Sequence, residues 1–262
     1  MRAFLICWFV SVLGVGLVVC CLLVCWLVVW VGCGLLWVVW GRVGLAALEN
    51  MLFRYDIDMC HSLNASVGAL VIGWAGCVML YKTGSKLNER VALMLAYVIS
   101  MQLIEALMWS DQKCTGLNQL ASKIGFVQNV GQPLVIFLAL APFMAKSLDL
   151  PVKTLLAFYG LTLGLFIFSN HKDMLNPAYW CTKAGDGGLL WNWAGSQNRL
   201  IWTAFVGSVA ASMFASKMSK WTSIATIGTL IASYFRYGNS KAVGSWWCLY
   251  AVCLPYIQLL TQ

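Results

Sequence analysis

Hydrophobic positions along this chain form long uninterrupted runs, and polar residues gather between them. Beyond residue 50, mainly apolar runs fall at 65–81, 91–110, 124–145, 152–169, 200–216, 221–234 and 243–260. A helix needs roughly 20 apolar residues to cross a bilayer core, and most of these runs are near that length. Strands of a membrane barrel would be about 10 residues long with alternating polarity, which these runs lack. The pattern predicts an all-α protein, a polytopic transmembrane bundle of seven core helices. The sixth run is short unless it continues through Phe235 and Arg236, and a basic hairpin tip at 217–220 separates it from the fifth.

The opening of the chain differs in kind. Residues 12–41 use only Val, Leu, Gly, Cys and Trp, and no charge interrupts residues 3–41. All five types have codons built solely from G and T, so a GT-rich tract in translation gives this alphabet and makes Met51 the expected start. A compositionally biased anchor is the other reading, and the two stand side by side. The expected organisation is a low-complexity hydrophobic segment, 1–50, and a seven-helix domain, 51–262.

Composition reinforces the class. Hydrophobic residues make up 61% of the chain and charged residues 10%, against roughly 25% charged in soluble domains, so the implied surroundings are a lipid bilayer. The formal charge of +8 points to no nucleic-acid partner, because the basic residues are scattered through loops and form no stripe. Basic residues are almost evenly divided between the two faces of a seven-span arrangement. Those in the short loops lean towards residue 51 outside and residue 262 in the cytoplasm. A homo-oligomer stays open.

Enzymatic chemistry finds little support. The two histidines, His61 and His171, lie outside the runs, and no GxSxG or HExxH motif occurs. No zinc-type cysteine spacing is present, so the expectation is a non-enzyme without metal or cofactor. Cys114 and Cys181 occupy the loops after the second and fourth runs, on one face of the bundle. A disulfide between them is a candidate if that face is oxidising, with Cys60 as a competing partner for either.

Glu105 is the only acidic residue well inside a run. An intramembrane carboxyl is costly, which makes it the leading functional candidate. Gln102, Glu105 and Trp109 share one helical face, about 7.5 Å of rise from the Ser110 end at Glu105. The third run brings Gln128, Asn129 and Gln132 in from the same face, ahead of Pro133, and Arg236 closes the sixth run there. Glu105, Gln102, Gln128, Asn129, Gln132 and Arg236 therefore form a candidate cavity in the outer half, with a Glu105–Arg236 pair at rest. The bland alternative is that the amides are interhelical glue, worth about 0.6 kcal/mol each.

Small residues at Ala65, Ala69, Gly73 and Cys77, and at Ser208, Ser212 and Ser216, read as packing seams. The segment 170–198 is rich in Trp and Tyr. It reads as a loop resting on lipid headgroups, or as a lid over the cavity. The string from Gln102 to Trp109, the segment from Cys114 to Asn118, and Gly244-Ser245-Trp246-Trp247-Cys248 resemble a family of uncharacterised multi-span membrane proteins of large DNA viruses and unicellular algae. That resemblance covers about 51–262, implies the same helical core and supplies no activity. Two functions remain: a small transporter or channel centred on Glu105, and a structural or receptor-like protein that binds a partner or lipid through 170–198.

Overall fold

The computed structural model describes residues 62–185, 188–195, 199–237 and 243–262, so the expectations for residues 1–61 lie outside the described residues. Ser62 starts α1 (Leu63–Tyr81) by accepting a hydrogen bond from the Ala65 N–H, a side-chain cap on one of the first-turn donors. The second predicted run becomes two helices, α2 (Lys86–Ile99) and α3 (Met101–Ser110). Then come α4 (Leu117–Leu140), which begins earlier than its apolar run through polar residues and ends at Leu140, before that run does, and α5 (Lys146–Met174), which polar residues extend at both ends.

The described residues between 177 and 195 fold rather than trail. A 3₁₀ turn (Pro177–Trp180) leads to a two-stranded hairpin of β1 (Lys183–Gly185) and β2 (Gly188–Leu190), then to the one-turn α6 (Asn192–Gly195). The hairpin is antiparallel, with Lys183 opposite Leu190 and Gly185 opposite Gly188. The chain continues as α7 (Arg199–Ala215), α8 (Lys220–Tyr237), α9 (Val243–Ala251) and α10 (Leu254–Leu260). α8 does run through Phe235 and Arg236. The last predicted run is interrupted at Val252 and Cys253, ahead of Pro255, whose missing N–H suits a first helical turn.

Among the described residues, four helical stretches are long and apolar enough to cross a membrane: Leu63–Tyr81, Lys86–Ser110, Leu117–Phe143 and Lys146–Met174. Their outward faces stay apolar. On α1 the exposed side chains Val67, Val71, Trp74 and Val78 recur at helical spacing, while Ala69, Gly73, Cys77 and Leu80 are buried on the other side. A helix apolar on both faces suits lipid on one side and protein on the other.

The small residues are where backbones approach. A Cβ on Gly73 would stand 2.7 Å from Ile99 Cγ2, and one on Gly76 would stand 2.8 Å from the Tyr256 ring. Tyr256 also donates its hydroxyl to the Ile72 carbonyl at 2.7 Å, which fastens α10 to α1. At the same end Asn88 donates to Thr83 Oγ1 and to Gln262 Oε1, tying the start of α2 to the chain terminus. In α7 the buried Ser208 and Ser212 turn towards α5 and their own backbone, as a packing seam requires.

Candidate functional site

Ser100 separates α2 from α3 without proline or glycine, and the break has a specific support. The Tyr97 carbonyl accepts from Gln128 Nε2 at 2.6 Å and from the Ser100 hydroxyl at 2.7 Å. Gln128 Nε2 also reaches Ser100 Oγ at 2.8 Å, and the Tyr97 hydroxyl donates back to the Gln128 carbonyl at 3.0 Å. Gln128 thus replaces a helix-ladder donor in the buried interior, where an unpaired carbonyl is expensive. Its amide nitrogen is therefore already engaged by α2 and Ser100.

The other candidates separate by face. Gln102 and Glu105 are 2% and 3% exposed on α3, beside the stripe Met101, Ile104 and Met108 that would meet a side chain at Gly125. Gln132, one turn beyond Gln128, is fully buried, and neither amide atom has a hydrogen-bond partner among the described residues. Gln102 Nε2 is in the same position. Each such group costs about 1–3 kcal/mol when buried unmet. Asn129 points elsewhere, into a cleft with Tyr159, Ile201, Trp202 and Phe205. Arg236 lies in the last turn of α8, and its side chain, with the expected Glu105–Arg236 pair, lies outside the described residues.

Cys114 and Cys181 are joined as a disulfide, with Cα atoms 5.6 Å apart. It fastens the 177–195 segment, here the cap, to the α3–α4 turn. The aromatic side chains expected on headgroups turn inward instead. Trp191 and Trp193 are fully buried and stack at 4.9 Å, and Phe126 of α4 meets Trp180 at 5.7 Å and Trp193 at 5.4 Å. The cap is an aromatic plug set into one end of the helices.

Comparison with protein-family models, curated proteins and solved structures finds no match.

Residues that the sequence pattern passed over hold the plug in place. Asn118, fully buried, accepts from the Thr182 N–H at 2.8 Å and donates to the Thr182 carbonyl at 2.7 Å, so one side-chain amide pairs like a neighbouring strand. Ser122, one turn on, shares a 2.7 Å hydrogen bond with the Thr182 hydroxyl. Gln112 accepts from the Ala184 N–H. Asp111 accepts from the backbone N–H of Asn118 at 2.9 Å and of Thr115 at 3.0 Å, and so caps α4 from the preceding turn. The signal was an Asp followed by two turn residues of positive φ, Cys114 and Gly116, just before a helix with no capping side chain of its own.

The backbone N–H groups of Asn118 and then Thr115 hold the Asp111 carboxyl below the ordinary aspartate pKa. The folded value is the lower one. Its stabilisation is therefore complete above the unfolded-chain value of ~3.9 and is lost as pH falls further, through the folded value. Thermal midpoints measured from pH 6 to pH 2 should fall more steeply for the natural protein than for Asp111→Asn, which should start lower at pH 6. Parallel profiles would remove Asp111 from this role.

Proposed function

We propose that the chain is a multi-pass integral membrane protein of seven spans, and that it acts as a small transporter or channel without a catalytic step. The observation that supports this most is Glu105, an ionisable side chain 3% exposed within the Lys86–Ser110 span. Such residues are retained where a path for ions, protons or polar solutes needs them. Among the described residues Gln102 Nε2 and both amide atoms of Gln132 have no hydrogen-bond partner, which gives the same bundle further polar groups that a solute could satisfy. The broken second span agrees with the discontinuous helices that many transporters place at their binding sites. In this reading the disulfide-tethered cap closes one end of the path, and Glu105, Gln102 and Gln132 are the residues proposed to line it.

A second reading has its own support. The disulfide and the Asp111, Asn118 and Thr182 hydrogen bonds give one face a rigid folded surface, as a structural or receptor-like protein would need. Proton and ion flux into liposomes carrying the full chain separates the two. Glu105→Gln at matched folding should lower flux at least tenfold. Absence of flux in both proteins, with Glu105→Gln altering only stability, would favour the second reading.

A further inference from the structure

At the end away from the cap, hydrogen bonds join three interhelical turns and the chain terminus into one surface. The Ala145 N–H donates to the Ala215 carbonyl at 3.2 Å and the Lys217 N–H to the Phe143 carbonyl at 3.1 Å, so the α4–α5 and α7–α8 turns pair like short antiparallel strands. Ser219 and Thr261 share a hydroxyl hydrogen bond of 2.6 Å. Asn88 donates to Gln262 and to Thr83, which brings in the α1–α2 turn. The stretches Leu63–Tyr81, Lys86–Ser110, Leu117–Phe143 and Lys146–Met174 each begin or end here.

This surface is basic. Lys82, Lys86, Arg90, Lys146, Lys217 and Lys220 are exposed, and none of them makes an ion pair among the described residues. The acidic side chains on the same turns and the helix starts that follow them are Asp149, held by Lys153 at 2.6 Å, and Glu89. α2, α5 and α8 all begin here with a lysine as first residue, and neither α2 nor α5 has a side-chain cap. A helix N-terminus is already partly positive, so lysines there build up charge that an external anion would offset.

Apolar side chains stand beside the lysines. Leu150, Phe214 and Trp221 are 73%, 52% and 49% exposed, and they follow Lys146, precede Lys217 and adjoin Lys220 within a helical turn or so. A soluble phosphate would use the lysines alone, whereas a phospholipid engages ammonium groups and apolar surface together. A zwitterionic lipid carries a cation beside its phosphate, so the surface favours a headgroup of net negative charge.

We propose that this surface binds anionic phospholipids, with Lys146, Lys217 and Lys220 on the headgroup phosphate and the exposed apolar side chains along the acyl chains. The assignment rests on the membrane-spanning reading above and is independent of transport.

Tryptophan quenching by brominated lipid tests it in bilayers carrying the full chain. A minor fraction of brominated phosphatidylglycerol in phosphatidylcholine is compared with the same fraction of brominated phosphatidylcholine. The relative association constant should favour phosphatidylglycerol at least about fivefold, the share of one lysine near an anionic surface. Lys146→Gln, Lys217→Gln and Lys220→Gln together should abolish that preference, while arginine at the same three positions should preserve it. Trp221→Phe should lower the selective part of the quenching, because that ring adjoins Lys220. Equal constants for the two lipids, a preference undiminished in the triple glutamine variant, or competition by soluble glycerol 3-phosphate would overturn the proposal. A chain that an alkaline wash strips from the bilayer would overturn the membrane-spanning reading with it; equal constants in a retained chain would overturn this assignment alone.

Discussion

Asn118→Leu should destabilise the cap by about 2–4 kcal/mol, because it strands both the N–H and the carbonyl of Thr182, a residue 1% exposed. Leu approximates the volume of Asn, so the loss is one of pairing more than of packing. The Met108 carbonyl, the third partner, keeps a donor in Gln112 Nε2 at 2.8 Å. The near-ultraviolet dichroism of the buried tryptophans and the hydrogen exchange of 182–190 would report the cap directly. Asn118→Asp gives an internal control: it keeps an acceptor for the Thr182 N–H, loses the donor to the Thr182 carbonyl, and should fall between the two. A loss below about 1 kcal/mol with an unchanged tryptophan signal would mean that the amide does not hold the cap.

Replacing both Cys114 and Cys181 by Ser should cost about 2–4 kcal/mol. The bridge closes a separation of 67 residues, for which loop-closure entropy alone gives about 4 kcal/mol. Spans that remain helical in the unfolded reference state already restrict the chain, which lowers that figure. Limited proteolysis between residues 170 and 198 should become faster, while the helix content in far-ultraviolet dichroism stays constant. Resistance to protease equal to that of the natural protein would show that the side-chain hydrogen bonds suffice. The two changes act on one unit, so the triple variant should lose less than the sum of its parts.

The long apolar helices were legible because their runs are uninterrupted between charged residues: Lys82, Asp111, Lys146 and Lys217 mark ends that no apolar run crosses. The break at Ser100 was not, since nothing in Tyr97-Val98-Ile99-Ser100 is a helix breaker and its support, Gln128, lies 28 residues away. Gln128 looked like a cavity residue for the same reason. A buried amide in a span reads identically whether it faces a solute or a backbone carbonyl. The tryptophans of the cap carried a composition that fits a membrane interface, and only the tethers at Cys114 and Asn118 turn them inward. Those tethers are long-range pairings of 67 and 64 residues, beyond any local periodicity.

The interruption at Ser100 also has a mechanical meaning. α2 and α3 meet at a joint whose bonds are side-chain contacts from a neighbouring helix, each worth about 1 kcal/mol, in place of a continuous backbone ladder. Bending there sacrifices less than bending an unbroken helix. Gln102 and Glu105 stand two and five residues past the joint, about 3 and 7.5 Å along the axis, on the 10-residue α3, which can tilt separately from the 14-residue α2. A modest tilt of α3 about that joint would move the carboxyl within the bundle while α2 and α4, joined through Gln128, keep their places.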